Sequence, residues 1–283
     1  MKNILIIGLG LLGGSYAKKL TKSGYQVKAI EKRESAVEYA VKNGIVAQAS
    51  TQIDEEFFCW ADTVVFALYP SIFLSWVEEN AHLLKSGTLV TDVTGVKESI
   101  LDKVQSVMPD GVEFISAHPM AGREVGGVEN ADESIFIGAN YIVVPSEKNT
   151  QKAIDECKHL GEVLGFKSVS VLTPRQHDDM IAFLSQLTHC IAVSLMCSNP
   201  NEGLEKYTGD SFRDLTRIAK INDEMWSELF LLNRDALLKQ MDRFKDSFDE
   251  LYNSVKNADR EKMRQMMRLS TSRRKRFDIT KEK

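Results

Sequence analysis

The chain has 283 residues, 43% of them hydrophobic and 27% charged, with a formal net charge of −4. That length is comfortable for two globular domains, and the mild acidity argues against a nucleic-acid scaffold even though Arg273 to Arg276 is locally basic. No uninterrupted apolar run approaches the roughly 20 residues of a membrane helix, and Cys59, Cys157, Cys190 and Cys197 lack the spacing of a zinc site or a disulfide framework; a soluble protein of the reducing cytoplasm, with no metal, is expected.

The chain opens on Asn3-Ile4-Leu5-Ile6-Ile7, a buried-strand pattern that runs into Gly8-Leu9-Gly10-Leu11-Leu12-Gly13. This G-x-G-x-x-G has a strand before it and a helix, roughly Leu11 to Ser23, after it, which is the context a dinucleotide-binding turn requires. Gly8 permits the tight turn, Gly10 lets the backbone approach a pyrophosphate, and Gly13 lets the helix pack on the strand. The helix N-terminus then faces the phosphates. A secretory signal is a poor reading, because the apolar stretch carries four glycines and is followed at once by Lys18 and Lys19. A second strand, Gln26 to Ile30, ends at Glu31, where a ribose-binding carboxylate belongs. Glu31 favours NAD; Lys32 and Arg33 leave a 2′-phosphate, and so NADP, open.

Further β-rich runs follow at Thr63 to Leu68, Thr88 to Asp92, Glu113 to Ser116, Tyr141 to Val144 and Lys167 to Val171, with helical stretches such as Ser71 to Leu84 and Val96 to Val107 between them. The alternation predicts an α/β, doubly wound, Rossmann-like N-terminal domain over 1–172 with a largely parallel sheet. Past Pro174 the β signal stops. Periodic segments over Gln176 to Cys197, Phe212 to Ile221 and Asp223 to about Arg276 predict an all-α domain over 173–283. Its apolar positions Leu229, Leu232, Ala236, Met241, Phe244, Phe248, Leu251 and Val255 recur at helical spacing, so that face is buried either against a partner subunit or within the chain.

Ligands of such sheets bind beyond the carboxyl ends of the strands. Leu68-Tyr69-Pro70, Asp92 to Lys97 and Ser116 to Gly122 qualify. Leu68 is placed to line the nicotinamide ribose. Thr94 is either a functional hydroxyl or a helix N-cap. His118, where a strand ends, is the strongest catalytic candidate, since an imidazole accepts a proton near neutral pH; a structural histidine is the alternative. In the helical part Ser185 and His189 are four residues apart and share a face. Arg217, among apolar residues, suits either a bidentate contact with a carboxylate or a buried salt bridge.

GLGLLGGS at 8–15, TDVTGVK at 91–97, HPMAG at 118–122, TPRQHD at 173–178, SQLTH at 185–189 and FRDLTRIA at 212–219, followed by Met225-Trp226, together resemble the prephenate dehydrogenase family over nearly the whole chain. The resemblance implies an NAD-dependent oxidative decarboxylation of prephenate to 4-hydroxyphenylpyruvate in tyrosine biosynthesis. By it, the substrate 4-hydroxyl lies near His118, Arg217 holds a substrate carboxylate, Ser185, His189 and Trp226 help line the pocket, and the chain forms a homodimer. An unprotonated His118 is then required, so activity falls as pH drops through its pKa, roughly 6.5 if unperturbed. The helical part runs to Lys283, so a monofunctional chain is expected. Two departures stand out: Gly95 occupies the place of a serine in the family pattern D-x-G-S-x-K, with neighbouring Thr94 as its possible substitute, and Gln186 stands where some relatives place a histidine.

Arogenate dehydrogenase is the nearest alternative. A non-catalytic NAD(H)-binding or sensing protein on the same frame predicts cofactor affinity without turnover, against which intact His118 and Arg217 argue. A β-hydroxyacid dehydrogenase would place a catalytic lysine in its helical part.

Overall fold

In the computed structural model, which describes residues 2–123 and 125–278, the first strand, β1 (Asn3–Ile7), is the axis of a six-stranded sheet. Ile4, Leu5, Ile6 and Ile7 are all buried, as in a parallel strand covered on both faces. β2 (Gln26–Ile30) and β3 (Gln48–Ser50) lie to one side of it, and β4 (Thr63–Phe66), β5 (Leu89–Asp92) and β6 (Glu113–Phe114) to the other. The order is β3-β2-β1-β4-β5-β6, every pair parallel. The strand order reverses between β1 and β4, which is where an open α/β sheet forms its ligand crevice.

The side-chain period of two divides the core. Ile4, Ile6 and Val65 meet Tyr16, Ala17 and Leu20 of helix α1 (Leu11–Lys22) on one face. Leu5, Ile7, Val64 and Phe66 meet Phe73 and Val77 of α4 (Pro70–Asn80) and Ile100 and Val104 of α5 (Glu98–Val107) on the other. Between β2 and β4 lie α2 (Glu34–Lys42) and α3 (Glu55–Trp60).

β3 was not anticipated: its three residues are half-buried or exposed and carry no apolar run. A larger difference concerns the runs beyond residue 115, expected to continue the sheet. β6 ends after two residues, Ile115 alone follows it, and β7 (Ser116–Pro119) starts a separate sheet with β8 (Asn140–Val144) and β9 (Ser168–Val171). β7 is antiparallel to β8, and β8, linked to β9 through α6 (Gln151–Leu164), runs parallel to it. The unbroken run from Glu113 to Ser116 hides the change of sheet, since residues on either side of a strand switch are equally β-prone.

The helical part begins at Thr173, whose side chain and Gln176 form a capping box, with Pro174 at the first turn. α7 (Pro174–Ile181), a π-helical stretch (Ala182–Gln186) and α8 (Leu187–Cys197) make one continuous helix. α9 (Asp210–Thr216), a 3-10 turn (Arg217–Ala219), α10 (Asp223–Leu232), α11 (Arg234–Lys256) and α12 (Arg260–Arg274) follow. The expectation that nothing here matches a membrane span needs amending: by length and composition Pro174–Cys197 is long and apolar enough, and only 28% of its most apolar window is buried. Inside it, however, His177, Asp178 and Gln186 are buried and hydrogen-bonded to protein.

The chain divides into two compact units, one ending at Arg234 and one starting at Asp235. The expected division lay at 172/173, and the outermost residues of those expected domains, 1 and 279–283, fall outside the described residues. The second unit is a helical hairpin whose turn places Ala258 at a φ of 50° and is closed by Lys262 on Glu250 at 2.5 Å. Met241, Phe244, Phe248 and Val255 on its long helix are exposed rather than covered by the chain itself.

A Cβ on Gly13 would lie 1.9 Å from the carbonyl oxygen of Gly8, a clash with backbone that no side-chain movement relieves. Gly13→Ala is therefore expected to cost about 3 kcal/mol or to prevent folding, read from urea unfolding by circular dichroism.

Candidate active site

The glycine loop presents two kinds of position. Gly8 (φ 96°) is packed so that a Cβ would meet the Ala67 carbonyl oxygen at 2.6 Å and Leu68 Cδ2 at 2.9 Å, which puts Leu68 directly against the loop. At Gly10, by contrast, a Cβ would meet nothing within 4 Å. Gly8 and Gly13 thus serve the protein's own packing, while Gly10 borders an open cradle. Gly10 is also the N-cap of α1 and offers no side chain to its N–H groups, and the first turn of that helix holds no acidic residue. Such an end is suited to an anion. Leu9, Leu11 and Leu12 surround it, the first two buried and Leu12 half-buried.

Glu31 sits just past β2 and reaches this loop. Its Oε2 accepts the N–H of Leu9 at 2.8 Å, and its Oε1 accepts the backbone N–H of Arg33 at 3.1 Å and Arg33 Nε at 3.2 Å. The carboxylate is therefore fixed at the carboxyl end of β2, and Arg33 is paired with it. These residues fit a dinucleotide: a cradle for phosphates at Gly10 and the start of α1, and an acceptor for a ribose diol at Glu31.

Beyond β5 lies a buried polar cluster. Asp92 ends that strand and Lys97 precedes α5; both side chains are fully buried, with Lys97 Nζ donating to Asp92 Oδ2 at 2.9 Å and to the Ala117 carbonyl oxygen at 2.7 Å. Asp92 also accepts the Ser116 hydroxyl and the Ala117 N–H on Oδ1, and the Thr94 N–H and hydroxyl on Oδ2. The Thr94 hydroxyl lies a further 3.1 Å from the Val96 carbonyl oxygen and 3.2 Å from Lys97 Nζ. Thr94 was expected as a catalytic substitute for the missing serine. Its hydroxyl is bonded within this cluster and the residue is 4% exposed, because an Asp92–Lys97 pair removed from water needs every neighbouring donor it can recruit.

The cluster ties β5 to β7, and β7 carries His118. The histidine lies within the strand, paired in register with Ile142, not in the loop that follows it. Since β6 points its carboxyl end toward β7, His118 still lies beyond the carboxyl edge of the main sheet. Its Nδ1 is 2.8 Å from Nε2 of His177 on α7, and His177 Nδ1 is 2.6 Å from Asp178 Oδ1. Asp178 in turn accepts the N–H of Lys97 at 2.9 Å and that of Glu98 at 2.9 Å, capping α5 from 80 residues away. Burial, then His177, then Lys97 hold the His118 imidazole well below its ordinary basicity. Burial lowers His177 too, against the pull of Asp178.

The remaining predicted residues gather on the helical part. His189 stacks on Trp226, ring centroids 3.7 Å apart, and its Nδ1 is 2.9 Å from the Ser185 carbonyl oxygen. Ser185 lies in the π-helical stretch, a local unwinding common at functional positions. Arg217 is exposed, on a turn that packs against α8, the helix of His189. Gln186, one of the two departures, is spent internally: its amide donates to the Leu229 carbonyl oxygen and accepts from Asn233, which also donates to the Asp178 carbonyl oxygen. A Cβ on Gly95, the other departure, would touch Leu229 at 3.4 Å. Among the described residues no group of His, Cys, Asp and Glu is placed to hold a metal ion.

The sequence brings Lys97 and His177-Asp178 into view as candidates without giving any of them a role. The dipeptide His177-Asp178 was in view, yet its partner His118 lies 59 residues away. Tyr69, within the expected stretch Leu68-Tyr69-Pro70, reaches the helical part: its hydroxyl accepts from Asn222, and Glu228 accepts the N–H of Ser71, joining the start of α4 to α10.

A Rossmann-type nucleotide-binding sheet joined to a helical part, with a cradle for a dinucleotide and a histidine beyond the strand ends, defines a nucleotide-dependent oxidoreductase. Residues 16–170 match the model of the prephenate dehydrogenase nucleotide-binding domain and residues 173–269 that of the prephenate dehydrogenase dimerization domain; the chain belongs to the prephenate dehydrogenase family. The prephenate dehydrogenase of Bacillus subtilis is 30% identical over 92% of this chain and 72% of its own length. The Aquifex aeolicus prephenate dehydrogenase, solved with hydroxyphenyl propionate and NAD+, superposes with a TM-score of 0.90 at 28% identity, covering 98% of this chain and 99% of that one. Synechocystis arogenate dehydrogenase does so with 0.83 at 26% identity, covering 98% and 100%.

Two measurements test the site. Gly10→Ala should leave urea stability within about 0.5 kcal/mol, as expected where nothing is touched, while weakening NAD affinity at least tenfold by titration calorimetry. Lys97→Met should cost about 3–5 kcal/mol, because it strands the Asp92 carboxylate in the interior.

Proposed function

We propose that this chain is an NAD-dependent prephenate dehydrogenase that forms 4-hydroxyphenylpyruvate for tyrosine biosynthesis, with His118 as its general base. The observation that carries the reading is His118 itself: an imidazole with its Nδ1 2.8 Å from His177 beyond the strand ends, its basicity lowered by its surroundings, in a chain of this family. NAD, when bound along the Gly8 to Gly13 loop with its ribose on Glu31 and Leu68 beside it, supplies the two-electron acceptor for the carbinol carbon of the substrate.

The protein's part is orientation and proton transfer. His118 accepts the proton of the 4-hydroxyl as that carbon becomes a ketone. The ring carboxylate then leaves as CO2, its bonding electron pair flows through the ring onto the oxygen, and the proton held on His118 restores the phenol. Arg217 receives a substrate carboxylate, and Ser185 with the stacked His189 and Trp226 lines the ring. Arogenate, which differs in carrying an amine for the side-chain keto group, would be handled by the same residues.

Residues 173–283 are read as the substrate-binding and dimerisation domain and 1–172 as the cofactor domain, in a cytoplasmic homodimer. The match to the family's dimerization domain supports this. So does the exposed stripe of Met241, Phe244, Phe248 and Val255, a face too apolar to leave in water.

The deciding assay follows NADH formation with prephenate or arogenate and NAD or NADP in parallel. Turnover on prephenate with NAD is expected; cofactor binding without turnover on either substrate would return the chain to the sensor class. His118→Asn should lower kcat by roughly 10²–10⁴-fold. Because the environment depresses the His118 pKa, the protonated, inactive form takes over only below the ordinary histidine value. The acid limb of the pH–kcat profile should accordingly fall under about 6.5, lower than an unperturbed histidine would place it. Phe248→Asp should shift the protein from dimer to monomer in sedimentation.

A further inference from the structure

We infer that His177 and Asp178 set the tautomer of His118, leaving its Nε2 as the bare nitrogen that meets the substrate hydroxyl. This rests on the reading of His118 as the base and adds two positioning residues that do not themselves touch the reacting atoms.

The argument is one of counting donors and acceptors. Asp178 is 2% exposed, accepts the backbone N–H groups of Lys97 and Glu98, and has the His177 Nδ1 2.6 Å from its Oδ1. A carboxylate that already takes two backbone N–H groups at the N-terminus of α5 serves there as an acceptor. His177 therefore carries its proton on Nδ1. A neutral imidazole has one donor and one acceptor, so Nε2 of His177 is an acceptor, and the atom 2.8 Å away, His118 Nδ1, is the donor. With its one proton on Nδ1, neutral His118 keeps a lone pair on Nε2. The ionisable groups around the pair are Asp178 on α7, Asp92 at the end of β5 and Lys97 just before α5, and the latter two neutralise each other.

The arrangement has a failure mode that gives it content. Were His177 doubly protonated, its Nε2 would donate, His118 would be forced to accept on Nδ1, and its own proton would move to Nε2, where it blocks proton uptake. His177 neutral and His177 charged thus correspond to active and inactive tautomers of another residue. Burial, which disfavours the charged ring, favours the active one. When His118 takes the substrate proton, its Nδ1–H still donates to His177, so no second transfer is needed and the new positive charge is held by an acceptor already in place.

Replacement of His177 separates this role from simple packing. His177→Leu removes the acceptor but fills the space; kcat should fall about 10- to 100-fold, the usual cost of losing an orienting partner, with KM changed less than threefold and the acid limb displaced. His177→Gln, whose amide oxygen can accept from His118 Nδ1, should recover kcat to within about fivefold of the parent. Unchanged kcat and pH profile in a folded His177→Leu protein would overturn the inference, as would a folded His177→Gln no better than the leucine variant. Nitrogen NMR of histidine-labelled parent protein needs no variant to fold: His118, assigned by the signals absent from His118→Asn, should be protonated on Nδ1 and bare on Nε2, and the opposite tautomer refutes the proposal. A fully active His118→Asn would instead remove the base reading beneath it, leaving the tautomer result standing.

Discussion

The fully buried ion pair of Asp92 and Lys97 is the constraint on which the rest of this site depends. Two opposite charges taken out of water are tolerated only when nearly every donor and acceptor around them is used. Asp92 consequently draws in Thr94, Ser116 and the Ala117 N–H, and Lys97 claims the Ala117 carbonyl oxygen. Those contacts fix the first residues of β7 against the end of β5. One residue further along that strand is His118, so the direction of the catalytic candidate is inherited from an electrostatic requirement two strands deep.

A second constraint enters from the helical part. α5 begins at Glu98 with its leading N–H groups facing inward, and no neighbour in sequence caps them. Asp178 does so from α7, at the same time holding His177 against His118. A helix cap and the contact of His177 with His118 thus share one carboxylate. The requirement propagates outward: Asn233 donates to the Asp178 carbonyl oxygen and to Gln186 Oε1, and the Gln186 amide donates to the Leu229 carbonyl oxygen. The helix 174–197, apolar enough in composition to suit a membrane, owes its buried polar residues to this chain of contacts.

Glycine use in the cofactor loop follows an equally plain division. Gly8 and Gly13 answer to backbone a few ångströms away, and Gly10 answers to open space. Three identical residues in one motif therefore carry different physical burdens, and only one of them borders open space. Glu31, bonded to the N–H of Leu9, links the loop to the end of β2.

Local patterns in the sequence determined the parallel sheet, the dinucleotide turn, the acidic residue at Glu31 and the helical second half, because each depends on residues close together in the chain: apolar runs, glycines at fixed spacing, a strand ending at a carboxylate. The family motifs also singled out His118, Ser185, His189, Arg217 and Trp226. Tertiary structure alone decided the rest. The switch of sheets at Ile115 is invisible in a continuous β-prone run, and the commitment of Thr94 to Asp92 depends on a lysine charge sealed from solvent. The partnership of His118 with His177 joins residues 59 positions apart, through a helix that another element's carboxylate caps. Periodicity reports which face of an element is buried; which polar groups meet inside is settled by packing, where each unpaired donor or charge carries a cost that no local pattern records.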